Sequence, residues 1–445
     1  MRRRHRCLAR AWLVLCLLPA LAWPQTEVEP YNWQGVARIV ALGDIHGDYD
    51  NYLRALDEAQ VIDRRQRWSA GRTHLVQLGD IPDRGPDTAK IIRHLQKLEQ
   101  QAIRAGGRVH ALVGNHEAMN MIGDLRYVHP GEYSALASRR AQALLENYYE
   151  RVVAFRREQD AAYEPTGADR EAWFAEHPQG FIEHRRHWHP EGEFGRWVLD
   201  HPAVLRINDT LFVHGGLSPA LAGLPLETIN NRIRDELANA GRGEQPLFLE
   251  REDGPLWYRG LATIEGGADE NEVAALLRDY GVTRIVVGHT PGFGTVIPRF
   301  DGRVLLADSG IGSAYGGYVA SVLIEGDTAY TVQEGTRIEL PDHDSELLPY
   351  LRSIAQLLTT PAPNLLRLIE TLEAEAEAEA EAEQPVDSAA DLLSQLHKAS
   401  EQWQMGGEFV RTLIRSESGC VRNLFSARLC HGDLVYGCLN SREFS

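Results

Sequence analysis

An α/β layered fold is predicted from three features that recur between Val36 and about Gly335. These are short apolar runs of strand length, loops rich in Gly, Asp or His after them, and helical stretches between several of the runs. The first run, Val36–Leu42, precedes the helical pattern Tyr49–Ala59, and the second, His74–Leu78, precedes Thr88–Ala105. Val109–Val113, Leu211–Val213, Arg284–Val287 and Val304–Ala307 complete the set. Strands that alternate with helices in this way present functional loops at the strand C-termini.

Residues ~120–200 form a long insertion between the third and fourth runs, rich in Arg, Glu, Ala and aromatics. It reads as mostly helical, the kind of insert that shapes a substrate cleft or packs as a cap. Beyond about residue 345 the character changes, and the main domain is expected to end there. Leu347, Leu351, Ile354 and Leu358 form one helical stripe, and Leu365, Leu368, Ile369 and Leu372 another. From Glu373 to Glu383, Glu and Ala alternate strictly. A period of two spreads charge around any helix, so this segment is a solvated helix or a disordered spacer. Residues 387–445 form a separate tail that carries Cys420, Cys430 and Cys438.

The first 22 residues read as a secretory signal. Arg2, Arg3, Arg4, Arg6 and Arg10 precede the apolar run Ala11–Leu18, and Ala20-Leu21-Ala22 gives a small-residue cleavage pattern. The run is too short to span a bilayer. An exported protein without stable membrane insertion is therefore expected, periplasmic or secreted. Three Cys near the C-terminus leave an odd thiol even if one disulfide forms, and no CxxC pair suggests a zinc site.

Composition narrows the function classes. At 445 residues, 43% hydrophobic and 24% charged, the chain matches ordinary globular usage. Its formal charge of −17 argues against a protein that coats nucleic acid, because the basic field that drives such binding is missing. Loss of the signal removes five Arg and no acid, which makes the mature chain more acidic still.

Five loops carry the chemistry: Gly43-Asp44-Ile45-His46-Gly47, Gly79-Asp80-Ile81-Pro82-Asp83-Arg84-Gly85, Gly114-Asn115-His116-Glu117, His214-Gly215-Gly216 and Gly288-His289-Thr290. A Gly just past a strand lets the backbone turn and present the next side chain at the sheet edge. The side chains so presented are oxygen and nitrogen ligands without thiolates, a set suited to manganese, iron or zinc. One such loop is ordinarily a turn or a cap; five in this order are a site.

With these motifs the sequence resembles the calcineurin-like metallophosphoesterases, and within them the phosphoprotein phosphatase branch. The strings Ala118-Met119-Asn120-Met121-Ile122-Gly123-Asp124-Leu125-Arg126-Tyr127-Val128, Gly195-Arg196-Trp197 and Gly254-Pro255-Leu256-Trp257-Tyr258-Arg259-Gly260 resemble the bacterial-type Shewanella-like phosphatases. The resemblance covers about residues 36–335. It implies a metallophosphoesterase β-sandwich flanked by helices, and two divalent or mixed-valence metal ions. Asp44, His46 and Asp80 would hold one ion, and Asp80 would bridge to a second held by Asn115, His214 and His289. A hydroxide shared by the ions would attack phosphorus in line, without a covalent intermediate. His116 would be the general acid, oriented by Asp83. Arg84 would form a planar fork on the phosphate oxygens, and Arg259 a second clamp, although a surface Arg is often no more than an ion-pair partner.

The resemblance also implies a phosphomonoesterase acting on phosphorylated protein or peptide, on phosphotyrosine, phosphoserine/threonine or both. A dinucleoside polyphosphate hydrolase and a general exported phosphatase for small phosphoesters are the alternatives. Other signals read as structural. His184, His187 and His189 lack a carboxylate partner in sequence and are expected on a basic, aromatic surface or at the cleft rim. Asp308, in Ala307-Asp308-Ser309-Gly310-Ile311-Gly312, is expected to be a turn residue, with support of the metal ligands as the other reading.

Overall fold

Twelve strands pair into two six-stranded sheets in the computed structural model, which describes residues 31–383 apart from 244, 245, 264 and 265. The signal at 1–22 and the tail at 387–445, with its three Cys, lie outside the described residues. In chain order the strands are β1 (Asn32–Trp33), β2 (Arg38–Leu42), β3 (His74–Gln77), β4 (Arg108–Ala111), β5 (Val204–Ile207) and β6 (Thr210–Val213). They continue as β7 (Arg284–Val287), β8 (Ile297–Arg299), β9 (Val304–Leu306), β10 (Ala320–Glu325), β11 (Thr328–Gln333) and β12 (Thr336–Glu339). One sheet has the order β12-β11-β10-β2-β3-β4 and the other β1-β5-β6-β7-β9-β8. All six apolar runs read from the sequence overlap one of these strands. Val40, Leu42 and Leu75 from one sheet and Leu211, Phe212 and Val286 from the other are fully buried in one contiguous core.

The helices obey local rules. α1 (Tyr49–Glu58) is capped by Asp48, whose carboxylate accepts the Asn51 N–H at 3.0 Å, and it buries Tyr52, Ala55 and Leu56 at helical spacing. α2 (Thr88–Ala105) buries Ile91, Ile92, Leu95, Leu98 and Ala102 and stops at Gly106, whose φ of 84° a side chain would oppose. α3 (Asn115–Ile122) springs directly from the loop after β4. The insertion is helical as expected: α4 (Pro130–Leu136), α5 (Ala141–Gln159), α6 (Gly167–Glu176), α7 (Phe181–Trp188) and α8 (Glu193–Leu199). It does not present the basic, aromatic surface expected around His184. Trp188 and Phe194 are buried in the main core and His184 is fully buried, because α7 turns its large side chains inward.

α9 (Leu226–Ala238) and α10 (Glu270–Tyr280) flank the second sheet's strands in sequence, and α11 (Leu347–Leu357) and α12 (Pro363–Glu383) follow β12. The boundary expected near residue 345 falls inside the compact unit, which runs to Glu373. Tyr350, Leu351, Ile354, Leu365 and Ile369 are buried in the same core, so these apolar stripes face the sheets and not a separate tail. The Glu-Ala segment continues α12, with Ala374 to Ala378 exposed, the solvated helix of the two readings. Among the described residues no helix is long and apolar enough to cross a membrane.

Candidate metal centre

Strand register assembles the site. β2, β3 and β4 are parallel, with Leu42 beside Gln77 and Gln77 beside Ala111, so the loops carrying Asp44, Asp80 and Asn115 leave the sheet side by side. β6, β7 and β9 are also parallel, with Val213 beside Val287 and Val287 beside Leu306. His214, His289 and Asp308 therefore leave the second sheet together. The loops touch: a Cβ on Gly79, where φ is 97°, would lie 2.6 Å from the Gly114 nitrogen, and one on Gly288 would lie 2.6 Å from Asp44 Oδ1. Only glycine permits that approach. His46, Asp80, Asp83, Arg84 and His289 all have φ between 49° and 72°, a concentration of left-handed backbone at one place. Each such residue is disfavoured by ~1–2 kcal/mol, and clusters of this kind mark functional sites.

All six residues expected to be ligands are buried and brought together. His214 Nε2 lies 2.8 Å from Asn115 Oδ1, 3.1 Å from His289 Nδ1 and 3.3 Å from Asp80 Oδ1. Its other nitrogen can donate to the Leu78 carbonyl at 2.8 Å, and in that neutral tautomer Nε2 carries the lone pair. His46 is held the same way, Nδ1 donating to the Pro82 carbonyl at 3.1 Å, with Nε2 facing Asp44 Oδ2 and Asp80 Oδ2 at 3.8 Å each. Two ligand-capable groups share Asp80, one with His46 and His116 and one with His214 and His289. Lone pairs that converge on one another repel unless a cation lies among them. The donor set therefore fits metal binding on its own chemistry.

Protonation agrees with that reading. Burial lowers His46 to about 4 and, with the neighbouring His214, holds His289 well below the usual imidazole range, so both favour the neutral imidazole that a metal would need. Burial opposes ionisation of Asp80, but His214 and His116 hold it well below the usual carboxylate range. Asp44 is pushed up by burial and by the charges of Asp308 and Asp80. A carboxylate crowded in this way becomes a good ligand once a cation neutralises it.

His116 stands beside this cluster. Its Nδ1 is 2.5 Å from Asp83 Oδ2 and its backbone N–H donates to Asp80 Oδ1 at 2.9 Å. Burial opposes its protonation, but Asp80 and the bond to Asp83 raise it to about 9. Charged at neutral pH, it can give a proton and has no lone pair for a metal. A cation on Asp80 would weaken the first influence and leave Asp83 as its proton-holding partner. Asn120 fixes Asp83 in turn, donating to Asp83 Oδ1 and to the His116 carbonyl at 3.0 Å each.

The two arginines lie at the rim, both exposed. Arg84 stacks over Tyr127 at 4.0 Å and lies 6.0 Å from the Tyr315 ring. Those rings pack in turn on His116 and His46, at 5.2 Å and 4.9 Å. Arg259 Nη1 donates to the His289 carbonyl at 2.8 Å and to Thr290 Oγ1 at 3.1 Å. Among the described residues neither Arg forms an ion pair.

Other residues stand beside the expected ligands, acid and clamps. Glu117 accepts the N–H groups of Asp80, Ile81 and Gly114 at 2.8–2.9 Å, tying two ligand loops together. At the third position of α3 it accepts the N-cap Gly114 N–H, half of a capping box, since Gly114 has no side chain to complete the other half. Asp308 fits both of its readings: Oδ1 accepts the Gly310 N–H at 3.1 Å in a turn, while the buried Oδ2 has no hydrogen-bond partner and the carboxyl neighbours Asp44. Burial raises it to about 6. Tyr127 and Tyr315 have no sequence signal, since a rim aromatic has no spacing rule.

The family profile described as calcineurin-like phosphoesterase matches residues 37–293, more than half of the chain. The chain belongs to the calcineurin-like phosphoesterases. Within that family it is 30% identical to Shewanella-like protein phosphatase 2 of Arabidopsis thaliana over 279 residues, 61% of this chain and 71% of the relative. It is 35% identical to an uncharacterized protein of Schizosaccharomyces pombe over 305 residues, 66% of this chain and 80% of that one. Among solved structures, the cold-active protein-tyrosine phosphatase of a psychrophilic Shewanella species superposes with a TM-score of 0.54 and 30% identity, covering 70% of this chain and 82% of that one. The calcineurin-like phosphoesterase fold therefore spans the segment that positions every expected ligand.

Proposed function

We propose that this protein is a phosphomonoesterase that uses two divalent cations to hydrolyse phosphate from protein side chains, phosphotyrosine or phosphoserine/threonine. The observation that carries this reading is the convergence of five buried oxygen and nitrogen side chains around a shared Asp80, with the His116–Asp83 pair at their edge. Its similarity to proteins named protein phosphatases supports the substrate class. Asp44, His46 and Asp80 would hold one ion, and Asp80, Asn115, His214 and His289 the other. The ions would supply Lewis acidity and an activated water. His116 would protonate the departing ester oxygen, and Asp83 would hold the imidazolium in place. Arg84 and Arg259, free of ion pairs among the described residues, would take the phosphate oxygens. Export by the N-terminal signal belongs to the same proposal.

The test strips residues 23–445 of metal, restores manganese, iron or zinc, and measures phosphate release from matched phosphotyrosine and phosphoserine peptides. Diadenosine tetraphosphate is assayed in parallel. Metal-dependent turnover of either peptide is expected. Cleavage of the dinucleotide alone would replace this reading with that of a nucleotide hydrolase.

A further inference from the structure

The insertion supports the turn that bears both the acid's partner and one phosphate clamp. Asp83 and Arg84 are consecutive left-handed residues, with φ of 72° and 65°, and neither is glycine. Two such residues in a row are disfavoured by roughly 2–4 kcal/mol and persist only if their surroundings hold them. The hold comes from the insertion. Glu132 Oε1, on α4, accepts the Asp83 N–H at 2.9 Å, and the Tyr127 carbonyl accepts the Arg84 N–H at 3.1 Å. α4 sits hard against the same turn: a Cβ on Gly131 would fall 2.5 Å from Pro86 Cβ. Glu132 itself is buried.

We propose that Glu132 is a positioning residue, whose side-chain oxygen holds the Asp83–Arg84 turn in its left-handed form and so aligns His116 and Arg84 with the bound phosphoester. This rests on the reading of Asp83–His116 as the acid pair and Arg84 as a phosphate clamp. What the turn requires from Glu132 is an acceptor oxygen, not a charge. Burial, together with the charge of Asp83, raises Glu132 to about 8, so the neutral carboxyl already serves at neutral pH. A carboxamide has the same reach and the same acceptor. An aspartate keeps the carboxyl but is one methylene short.

The experiment uses the full metal-loaded chain with Glu132→Gln, Glu132→Asp and Glu132→Leu. kcat and KM are measured on 4-nitrophenyl phosphate and on phenyl phosphate, with metal content and Tm. Phenolate is the poorer leaving group and depends more on His116. Glu132→Gln is expected within about threefold of the parent on both substrates. Glu132→Asp and Glu132→Leu should keep their metal, raise KM on both substrates, and lose about 10-fold more kcat on phenyl phosphate than on the nitro compound. Equal kcat losses with unchanged KM would mean a merely structural role and overturn the proposal. An aspartate that outperforms the glutamine would also overturn it, because charge would then matter more than reach; that ordering decides the case if Glu132→Leu does not fold. His116→Asn, run alongside, should show the same leaving-group sensitivity. If it shows none, the acid assignment fails, and the Glu132 proposal is then judged on KM: unchanged KM in the aspartate and leucine variants overturns it.

Discussion

Two clusters of buried histidines in this molecule look alike by composition and differ in kind. At the strand C-termini, His46, His116, His214 and His289 surround Asp44 and Asp80. Elsewhere His74, which opens β3, and His110, within β4, face each other with Nδ1 and Nε2 3.0 Å apart. Trp33 stands edge-on to both rings at 5.2 and 5.3 Å. Burial and Arg108 lower His74 to about 4, and burial with the neighbouring His74 and His201 holds His110 well below the usual imidazole range. In that pair one nitrogen donates and the other accepts, so the contact is complete. At the strand ends Nδ1 of His214 is already committed to Leu78, and its lone pair meets an amide oxygen and a second imidazole. Buried histidine alone does not make a metal centre. Acceptors left facing acceptors, with a carboxylate between them, are the arrangement that a cation can complete.

The largest expected effect tests that distinction at its centre. Asp80→Asn removes the charge common to both ligand groups, so bound metal should fall and turnover drop to background, read by elemental analysis and phosphate release. Full metal content with normal turnover would dissolve the contrast between the two clusters. His116→Asn is expected to keep its metal while kcat falls ~10²–10⁴-fold, the scale of general acid catalysis. Undiminished kcat in a well-folded His116→Asn protein would remove that assignment.

Smaller effects belong to the other cluster. His74→Leu leaves the His110 nitrogen without its partner and should cost ~1–3 kcal/mol in a urea titration. Metal content and kcat should not change; a loss of either would show that the pair belongs to the catalytic unit. The pH dependence is the finest test. His74 is lowered in the folded state from 6.5 to about 4, so as pH falls through that interval the unfolded chain takes up a proton that the folded one refuses. Its contribution is intact above about pH 6.5 and is lost toward pH 4. The urea midpoint of the parent should therefore decline more steeply between pH 7 and pH 5 than that of His74→Leu. Identical slopes would refute it.

Much of the fold is legible in the sequence. β2, β3, β4, β6, β7 and β9 follow from apolar runs bounded by glycine, because burial of a strand in a layered sheet requires such a run. The ligand residues follow from their place just past those strands. α12 is half legible: its alternating Glu and Ala reveal the solvated part. The stripe from Leu347 to Leu372 announces a helical face but not what it packs against. The charged neighbours of His184 point to a surface position, yet it is buried, since one turn of α7 puts Arg186 outside and Trp188 inside.

The sequence by itself determined the α/β alternation, the chemical type of the ligands and their order along the chain, because strand periodicity and the turn after each strand are local properties. Tertiary structure alone decided which nitrogen of His46 and His214 is bare. It also decided that Asp308 stands next to Asp44, and that Glu132 of the insertion grips the turn at Asp83. Each of those facts is a hydrogen bond or a charge contact between residues tens to hundreds of positions apart. Such contacts depend on sheet register and helix packing, which no short stretch of sequence contains.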